Sequence, residues 1–322
     1  MSVVRCAVIG VGHLGRFHAE KYSTLDCCEL VALADPNPQN ALKLSKEYEC
    51  DFITNYKEIL DKVDAVSIVV PTSLHYEVAN KCLEAGIHVL LEKPITDNVD
   101  QAKLLDHLAQ KKNVKFQIGH IERFNPAVLK FKEINYDEDK DEKFSINPVF
   151  ITSTRIAPFK PRVIDVDVIT DLMVHDIDLI LHMVNSPIAN ISARGRKVLS
   201  NSTDIAYAYL EFENNCVANI TASRVSERTQ RTMNVFTENA YYAIDFQNRT
   251  LKSSKVLTDE NPKLNSKYYN ADSNDALKTE IESFIQSIIS SIPVSVSAQD
   301  GIKTIETATL ISVLIDEYNR QL

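Results

Sequence analysis

Basic residues are in deficit: 35 Lys and Arg stand against 44 Asp and Glu, for a net charge of −9. A protein that grips nucleic acid or an anionic membrane usually carries the opposite bias, so neither is an expected partner. Long apolar runs are missing as well. A membrane helix needs ~18 such residues, and a run such as Val66 to Val70 is only a strand's length. The N-terminus is not expected to be a signal peptide, because Arg5 interrupts it and a strand and a glycine turn follow. The six cysteines (Cys6, Cys27, Cys28, Cys50, Cys82 and Cys216) contain no C-x-x-C pair and lack the spacing of a small disulfide scaffold. They read as reduced, buried thiols of a cytoplasmic protein. Four N-x-S/T sequons, at Asn190, Asn201, Asn219 and Asn248, have meaning only in a secreted chain. Glycine is scarce, at seven residues, while the 44% hydrophobic and 25% charged shares are ordinary for a globular protein. A disordered chain, a collagen and a coiled coil are excluded. At about 100–200 residues per domain, the length predicts two domains or one large one.

The first third alternates short apolar runs with helical patterns. Val3 to Ile9, Leu30 to Ala34, Ala65 to Val70, His88 to Leu91 and Val114 to Ile118 read as strands. Their continuous apolar character is that of parallel strands buried on both faces. Helices are predicted over Leu14 to Leu25, Pro38 to Glu47, Tyr56 to Asp61, Leu74 to Ala85 and Asn98 to Lys111. This alternation predicts a doubly wound α/β domain, of Rossmann type, over residues 1–121. Three of the seven glycines spell G-V-G-H-L-G directly after the first strand, at Gly10, Gly12 and Gly15. Gly10 permits the tight turn, Gly12 lets the backbone approach a pyrophosphate, and Gly15 lets helix pack on strand. Gly10, Gly12, His13 and Leu14 are therefore candidate cofactor ligands. Asp35 ends the second strand, twenty residues after Gly15. A carboxylate there accepts the ribose hydroxyls of NAD and repels a 2′-phosphate, and no Arg follows it. NAD is expected rather than NADP. Asp35 can also cap the Pro38 helix.

Two further strand ends carry polar groups on the edge where such sheets bind ligands. The first is Pro71-Thr72-Ser73 with His75, where Ser73 also reads as a helix N-cap. The second is Glu92-Lys93-Pro94. A Lys at that edge is either one half of a surface Glu–Lys pair or a group that hydrogen-bonds a substrate hydroxyl and joins in proton transfer. The Lys93–Pro94 bond can be trans or cis.

From Glu122 onward the pattern changes, and residues 122–322 are predicted as a second, α+β domain. Asp137 to Lys143 reads as a charged solvated loop. Strands are predicted over Val149 to Ile156, Ile205 to Glu213, Cys216 to Val225, Thr232 to Thr237 and Tyr241 to Phe246, with short turns that favour antiparallel pairing. Ala206, Ala208, Leu210 and Phe212 share one face, and Tyr207, Tyr209, Glu211 and Glu213 the other. One face is thus expected to pack on helices and the other to stay open for a partner subunit or ligand. Phe284 and its neighbours, then Ile302 to Ile315, read as closing helices. The helix Thr170 to Val184 places Asp171, His175, Asp178 and His182 along one face among apolar flanks. Three readings stay open there: core histidines with satisfied hydrogen bonds, a metal site, or acid–base catalysis.

Four ordered motifs, G-V-G-H-L-G, Pro71-Thr72 with His75, Glu92-Lys93-Pro94, and Gly119-His120 followed by Arg123, resemble the Gfo/Idh/MocA oxidoreductases. The resemblance implies a Rossmann domain followed by an α/β domain with an open-faced, largely antiparallel sheet. It implies cofactor contacts from Pro71, Thr72, His75, Glu92, Lys93 and Arg123, and a catalytic Lys93. The family's Asp-x-x-x-His signature maps onto Asp171 and His175, and no metal is implied. Oxidising a secondary alcohol removes a hydroxyl proton as hydride leaves the carbon; His175 suits that base, and Asp171 can hold its ring. Many members carry glycines before this Asp, whereas this chain has Asp165-Val166-Asp167-Val168-Ile169-Thr170. That departure weakens transfer from members acting on free sugars or inositol. The runs Gly119 to Pro126 and Asp171 to Asp178 resemble instead a subgroup that oxidises C3 of UDP-N-acetylglucosamine, ahead of an aminotransferase in lipid A synthesis. A pyrophosphate wants basic side chains. Arg155, Lys160 and Arg162 form one cluster, and Arg224, Arg228 and Arg231 a second. Arg123, Asn125, Arg155, Lys160, Arg162 and Arg224, with Lys93 and His175, are the substrate-binding candidates. The open sheet predicts a homodimer or homotetramer. The rival readings are another sugar or inositol as substrate, NAD-assisted glycoside cleavage, or a catalytically silent NAD-binding regulator.

Overall fold

The computed structural model describes residues 3–136, 146–159, 166–256, 264–271 and 274–321. The chain divides into two compact units, Met1–Ile121 with Asp275–Ile302, and Glu122–Asn274 with Lys303–Leu322.

The first unit is built on six parallel strands: β1 (Val4–Ile9), β2 (Cys28–Ala34), β3 (Asp51–Ile53), β4 (Ala65–Ile68), β5 (His88–Glu92) and β6 (Phe116–Gly119). Their order is β3-β2-β1-β4-β5-β6, so the winding reverses between β1 and β4. Every residue of β4 and of β6 is buried, as continuous apolar runs require. Helices α1 (Gly15–Ser23), α2 (Pro38–Glu47), α3 (His75–Glu84) and α4 (Val99–Lys112) connect the strands. Asn98 caps α4 by accepting from the N–H groups of Asp100 and Gln101, and Asn113 closes it in the left-handed conformation. The predicted helix at Tyr56 is a short 3-10 turn, Tyr56–Ile59. The three-residue β3, too short to show a pattern, was not foreseen.

The second unit holds helices α5 (Pro126–Ile134) and α6 (Val174–Val184) and an eight-stranded sheet. Its strands are β7 (Phe150–Ile156), β8 (Ile188–Arg196), β9 (Ile205–Phe212), β10 (Val217–Ser223), β11 (Gln230–Phe236), β12 (Ala240–Asp245), β13 (Thr250–Val256) and β14 (Leu264–Asn270). The order is β14-β13-β12-β11-β7-β10-β9-β8. All neighbours run antiparallel except β7 and β10. The β9 alternation is the expected one: Ala206, Ala208, Leu210 and Phe212 enter a core shared with Phe131 and Ile177. On the other face Ile205, Tyr207 and Phe236 stay exposed. Two of the three strands without a prediction, β8 and β14, have physical reasons for silence. The buried positions of β8 are Ala193 and Gly195, too small to mark a hydrophobic face. Edge strand β14 is almost wholly exposed and reads as polar.

Two expectations are corrected. The segment Asp275–Ile302 belongs to the first unit, not to the second as a 122–322 domain had it. Its helix α7 (Ala276–Ile289) buries Ile281, Phe284 and Ile285 in one cluster with Val4, Cys6, Val8 and Tyr22. Helix α8 (Ala298–Arg320) then carries the chain into the second unit, where Ala308, Ile311 and Ile315 join the core. The helix predicted over Thr170 to Val184 begins instead with a π-helical turn, Ile169–Met173, before α6. The loop expected over Asp137 to Lys143 lies outside the described residues.

Candidate active site

In the first unit the polar groups gather where β1 and β4 end, the switch point of the sheet. The β1 turn begins with Gly10 at φ +89°, where a Cβ would stand 2.6 Å from the Val69 carbonyl oxygen. A Cβ on Gly15 would overlap the Gly10 carbonyl oxygen, so glycine there lets α1 close on the turn. Gly12 is different, because a Cβ on it would meet nothing within 4 Å. Its bareness serves no internal contact, and no side chain caps the N-terminus of α1. An open glycine backbone at a helix N-terminus fits a pyrophosphate. His13 and Leu14 are exposed on the same turn.

Asp35 is buried at the end of β2. Its Oδ2 accepts from the Val11 N–H at 2.8 Å, and its Oδ1 from the Asn37 N–H at 2.8 Å and Asn40 Nδ2 at 3.2 Å. It therefore ties the glycine turn to the start of α2. The cap of α2 is Asn37, which accepts from the Gln39 N–H. A carboxylate has about four acceptor sites, so the role toward a ribose is compatible with these bonds.

After β4, Pro71 is exposed and Thr72 half-buried in a 3-10 turn. The expected Ser73 cap is absent: Leu74 holds the N-cap position of α3 and no side chain caps it. His75 is buried, with Nδ1 2.8 Å from the Pro94 carbonyl and Nε2 3.0 Å from the Val70 carbonyl. Burial pulls its pKa below the ordinary value, against the two carbonyls. Its ring joins two loops and is not presented to a ligand, which corrects the expectation of a cofactor contact.

Lys93 stands half-buried just past β5, and the Lys93–Pro94 bond is cis. Beside it, Glu92 Oε2 accepts the Lys93 N–H at 3.2 Å and Oε1 meets His18 Nε2 at 3.1 Å. Burial would raise the Glu92 pKa, but His18 and Lys93 hold it below the ordinary range.

In the second unit, Asp171 lies in the π-helical turn and His175 in the first turn of α6, both half-buried. Asp167 Oδ1 accepts from Thr170 N–H at 2.8 Å and Thr170 Oγ1 at 2.7 Å, while Ser312 donates to Oδ2 at 3.1 Å. The turn that carries Asp171 is thus pinned at its start. The other two ionisable groups of the predicted face are engaged elsewhere. Asp178 binds Arg123 in bidentate fashion, at 2.8 and 2.6 Å, and His182 Nδ1 lies 3.3 Å from Arg123 Nη1.

Of the basic clusters expected to hold a pyrophosphate, Arg155 and Arg224 are corrected here, while Arg228 and Arg231 are exposed. Arg155 is 2% exposed and bonds Asp176 through Nε (2.7 Å) and Nη2 (3.2 Å), and Glu122 through Nη1 (2.8 Å). Burial alone would lower its pKa, yet the two carboxylates hold it well above the ordinary value. Arg123 is likewise buried against Asp178. Arg224 is buried, bonds Asp204 Oδ1 at 2.8 Å, and reaches the Val166 carbonyl and the hydroxyls of Ser200 and Ser202. Asn125 spends its side chain capping α5 and donating to Glu122 and the Phe246 carbonyl. In each case a guanidinium or amide taken from water needs an internal partner, and the fold supplies it. Lys160 and Arg162 lie outside the described residues. Sequence reasoning missed His18, Ser67 and Tyr22; the i, i+4 pair of His18 and Tyr22 on the glycine-turn helix was the available signal.

A doubly wound sheet, a bare glycine turn and an acidic strand end at its switch point define a dinucleotide-binding protein. The profile of an oxidoreductase family with an NAD-binding Rossmann fold matches residues 4–120, and that of the GFO/IDH/MocA C-terminal domain matches 158–243. The chain is 35% identical over 321 residues to the UDP-N-acetylglucosamine 3-dehydrogenase of Acidithiobacillus ferrooxidans, covering 99% of both chains. The solved structure of an Acidithiobacillus ferrooxidans UDP-N-acetylglucosamine 3-dehydrogenase superposes with a TM-score of 0.90 at 34% identity, over 99% of each chain. A scyllo-inositol 2-dehydrogenase (NAD(+)) of Bacillus subtilis is 29% identical, over 69% of this chain and 68% of its own. This chain belongs to the Gfo/Idh/MocA family of NAD-binding oxidoreductases. Among the described residues, no helix is long and apolar enough to cross a membrane.

Proposed function

We propose that this protein is an NAD-dependent dehydrogenase that oxidises C3 of UDP-N-acetylglucosamine to the 3-keto sugar nucleotide. The observation that carries this reading is the end-to-end likeness, at 35% identity, to a dehydrogenase named for that substrate. Bound NAD supplies the hydride acceptor. Gly10, Gly12, His13 and Leu14 hold its pyrophosphate, Asp35 its ribose, and Pro71 and Thr72 border the same edge. His175 removes the hydroxyl proton, and Asp171 orients its ring and favours its cation. Lys93 donates a hydrogen bond to the reacting oxygen or its neighbour. The exposed sheet face carrying Ile205, Tyr207 and Phe236 forms a homodimer or homotetramer contact. The enzyme works in the cytoplasm, and an aminotransferase consumes its ketone on the way to lipid A.

A second reading, a free sugar or inositol as substrate, is favoured by one observation. Arg123, Arg155 and Arg224 are all spent on internal carboxylates. Purified protein incubated with NAD and UDP-N-acetylglucosamine, with a carbonyl trap present, should reduce the nicotinamide and yield a trapped sugar nucleotide lacking two hydrogens by mass spectrometry. No product, alongside measured NAD binding, would overturn the first reading. Turnover of inositols or free sugars in the same assay would establish the second.

A further inference from the structure

We propose that a buried hydrogen-bonded relay, Tyr22–Ser67–His18–Glu92, positions Lys93, and that His18 is a positioning residue for the reaction. The proposal rests on the reading of Lys93 as catalytic. The relay lies within the first unit and touches none of the groups assigned above to NAD or substrate except Glu92 and Lys93.

His18 and Tyr22 are one turn apart on α1, so both face the sheet. They are 2% and 1% exposed, and Ser67, in the middle of β4, is fully buried. Tyr22 Oη is 2.9 Å from Ser67 Oγ, Ser67 Oγ is 3.1 Å from His18 Nδ1, and His18 Nε2 is 3.1 Å from Glu92 Oε1. With a neutral His18 ring the chain of bonds runs in one direction. Glu92 is held as the carboxylate and only accepts. His18 must then carry its proton on Nε2, which leaves Nδ1 of the neutral ring as an acceptor. Ser67 donates to that nitrogen, and its oxygen accepts the Tyr22 hydroxyl.

The far end of the relay is shaped to hold that carboxylate. Gly119 pairs with Glu92 across β5 and β6. A Cβ on Gly119 would stand 3.1 Å from the Glu92 Cα and 3.3 Å from its carboxylate carbon. Glycine there leaves the room that the side chain occupies. With Oε1 fixed by His18 and Oε2 turned to the Lys93 N–H, a negative charge is set one residue before Lys93. Attraction between the two is reciprocal: each favours the charged form of the other. The relay therefore fixes that carboxylate against the Lys93 backbone and sets the field in which the Lys93 side chain stands. The other titratable groups around Glu92 and the relay are His75 at the start of α3, and Cys6, Cys28 and Glu280 on the far side of Tyr22.

The test is a titration of Lys93 by NMR in protein whose lysines are reductively 13C-methylated, without any sugar, in wild type, His18→Leu and His18→Gln. His18→Leu strips the donor from a buried carboxylate and frees it to turn, so the Lys93 titration should move by about half a pH unit or more. His18→Gln keeps an amide N–H aimed at Glu92 and should restore it. The high-pH limb of kcat should move by the same amount, with KM for NAD changed less than about threefold. Should His18→Leu fail to fold, Ser67→Ala should give a smaller shift of the same sign. An unshifted Lys93 in the folded variants, or His18→Gln no better than His18→Leu, would refute the relay. Because the titration needs no substrate, a wild type that oxidises no sugar nucleotide would overturn the proposed function without touching this result.

Discussion

Arg155→Met is the sharpest test of why this fold keeps so many buried charges. The side chain is 2% exposed and neutralises Asp176 and Glu122 together. Removing one partner of a buried ion pair costs about 3–5 kcal/mol, because the group left behind has lost both water and counter-ion. Here two carboxylates are stranded, so the loss belongs at the upper end. A domain of about 150–250 residues loses roughly 2–4 °C of Tm per kcal/mol. The expected fall for the second unit is therefore roughly 10–20 °C, read by circular dichroism melting. Asp176→Asn should cost less, since Arg155 keeps Glu122 and Ser153 Oγ, 2.8 Å away, can still serve the amide. The double variant Arg155→Met/Asp176→Asn should recover part of the loss of Arg155→Met. A single Arg155→Met variant within 1 kcal/mol of wild type, or a double variant less stable than both singles, would refute the reasoning.

Gly12→Ala should leave Tm within about 1 °C, because its Cβ meets nothing in the protein, yet weaken NAD at least tenfold by titration calorimetry. Gly15→Ala should lower both, since its Cβ overlaps the Gly10 carbonyl. His175→Asn should lower kcat by about 10²–10⁴-fold with NAD affinity unchanged, as expected for loss of a general base; near-wild-type kcat would remove His175 from that role. Asp204 is held well below the ordinary carboxylate range: burial opposes this, but the N–H groups of Val198 and Leu199, Ser200 and Arg224 prevail. The unfolded chain thus binds the proton first, and this stability is present above about pH 4 and lost as pH falls below it. Acid melts of Asp204→Asn should show a shallower pH slope over that window than wild type.

The parallel sheet, the glycine turn and Asp35 could be read from the chain because each follows from local rules. Continuous apolar runs specify doubly buried strands, and a strand-to-helix turn around a pyrophosphate demands glycine at fixed spacing. The β9 alternation was equally plain, since one face is buried and the other is not. The arginines were another matter. Arg155 and Arg224 are indistinguishable in sequence from cations that wait for a phosphate. Their carboxylate partners lie twenty or more residues away, at Asp176 and Asp204. No local rule announces such pairs.

Read alone, the chain specified a dinucleotide-binding unit and an open-faced second unit, and the family resemblance added Lys93, Asp171 and His175 as acid–base candidates. Packing in three dimensions assigned the rest. It returned Asp275–Ile302 to the first unit, because the apolar face of α7 completes the core beside β1 and α1. It turned Arg123, Arg155 and Arg224 from candidate ligands into internal counter-ions, and it lined up Tyr22, Ser67 and His18 behind Glu92. The physical reason is the same in each case. Spacing along a helix or strand sets which face a side chain occupies, whereas the partner of a buried polar group comes from whichever distant strand or helix the fold lays against that face.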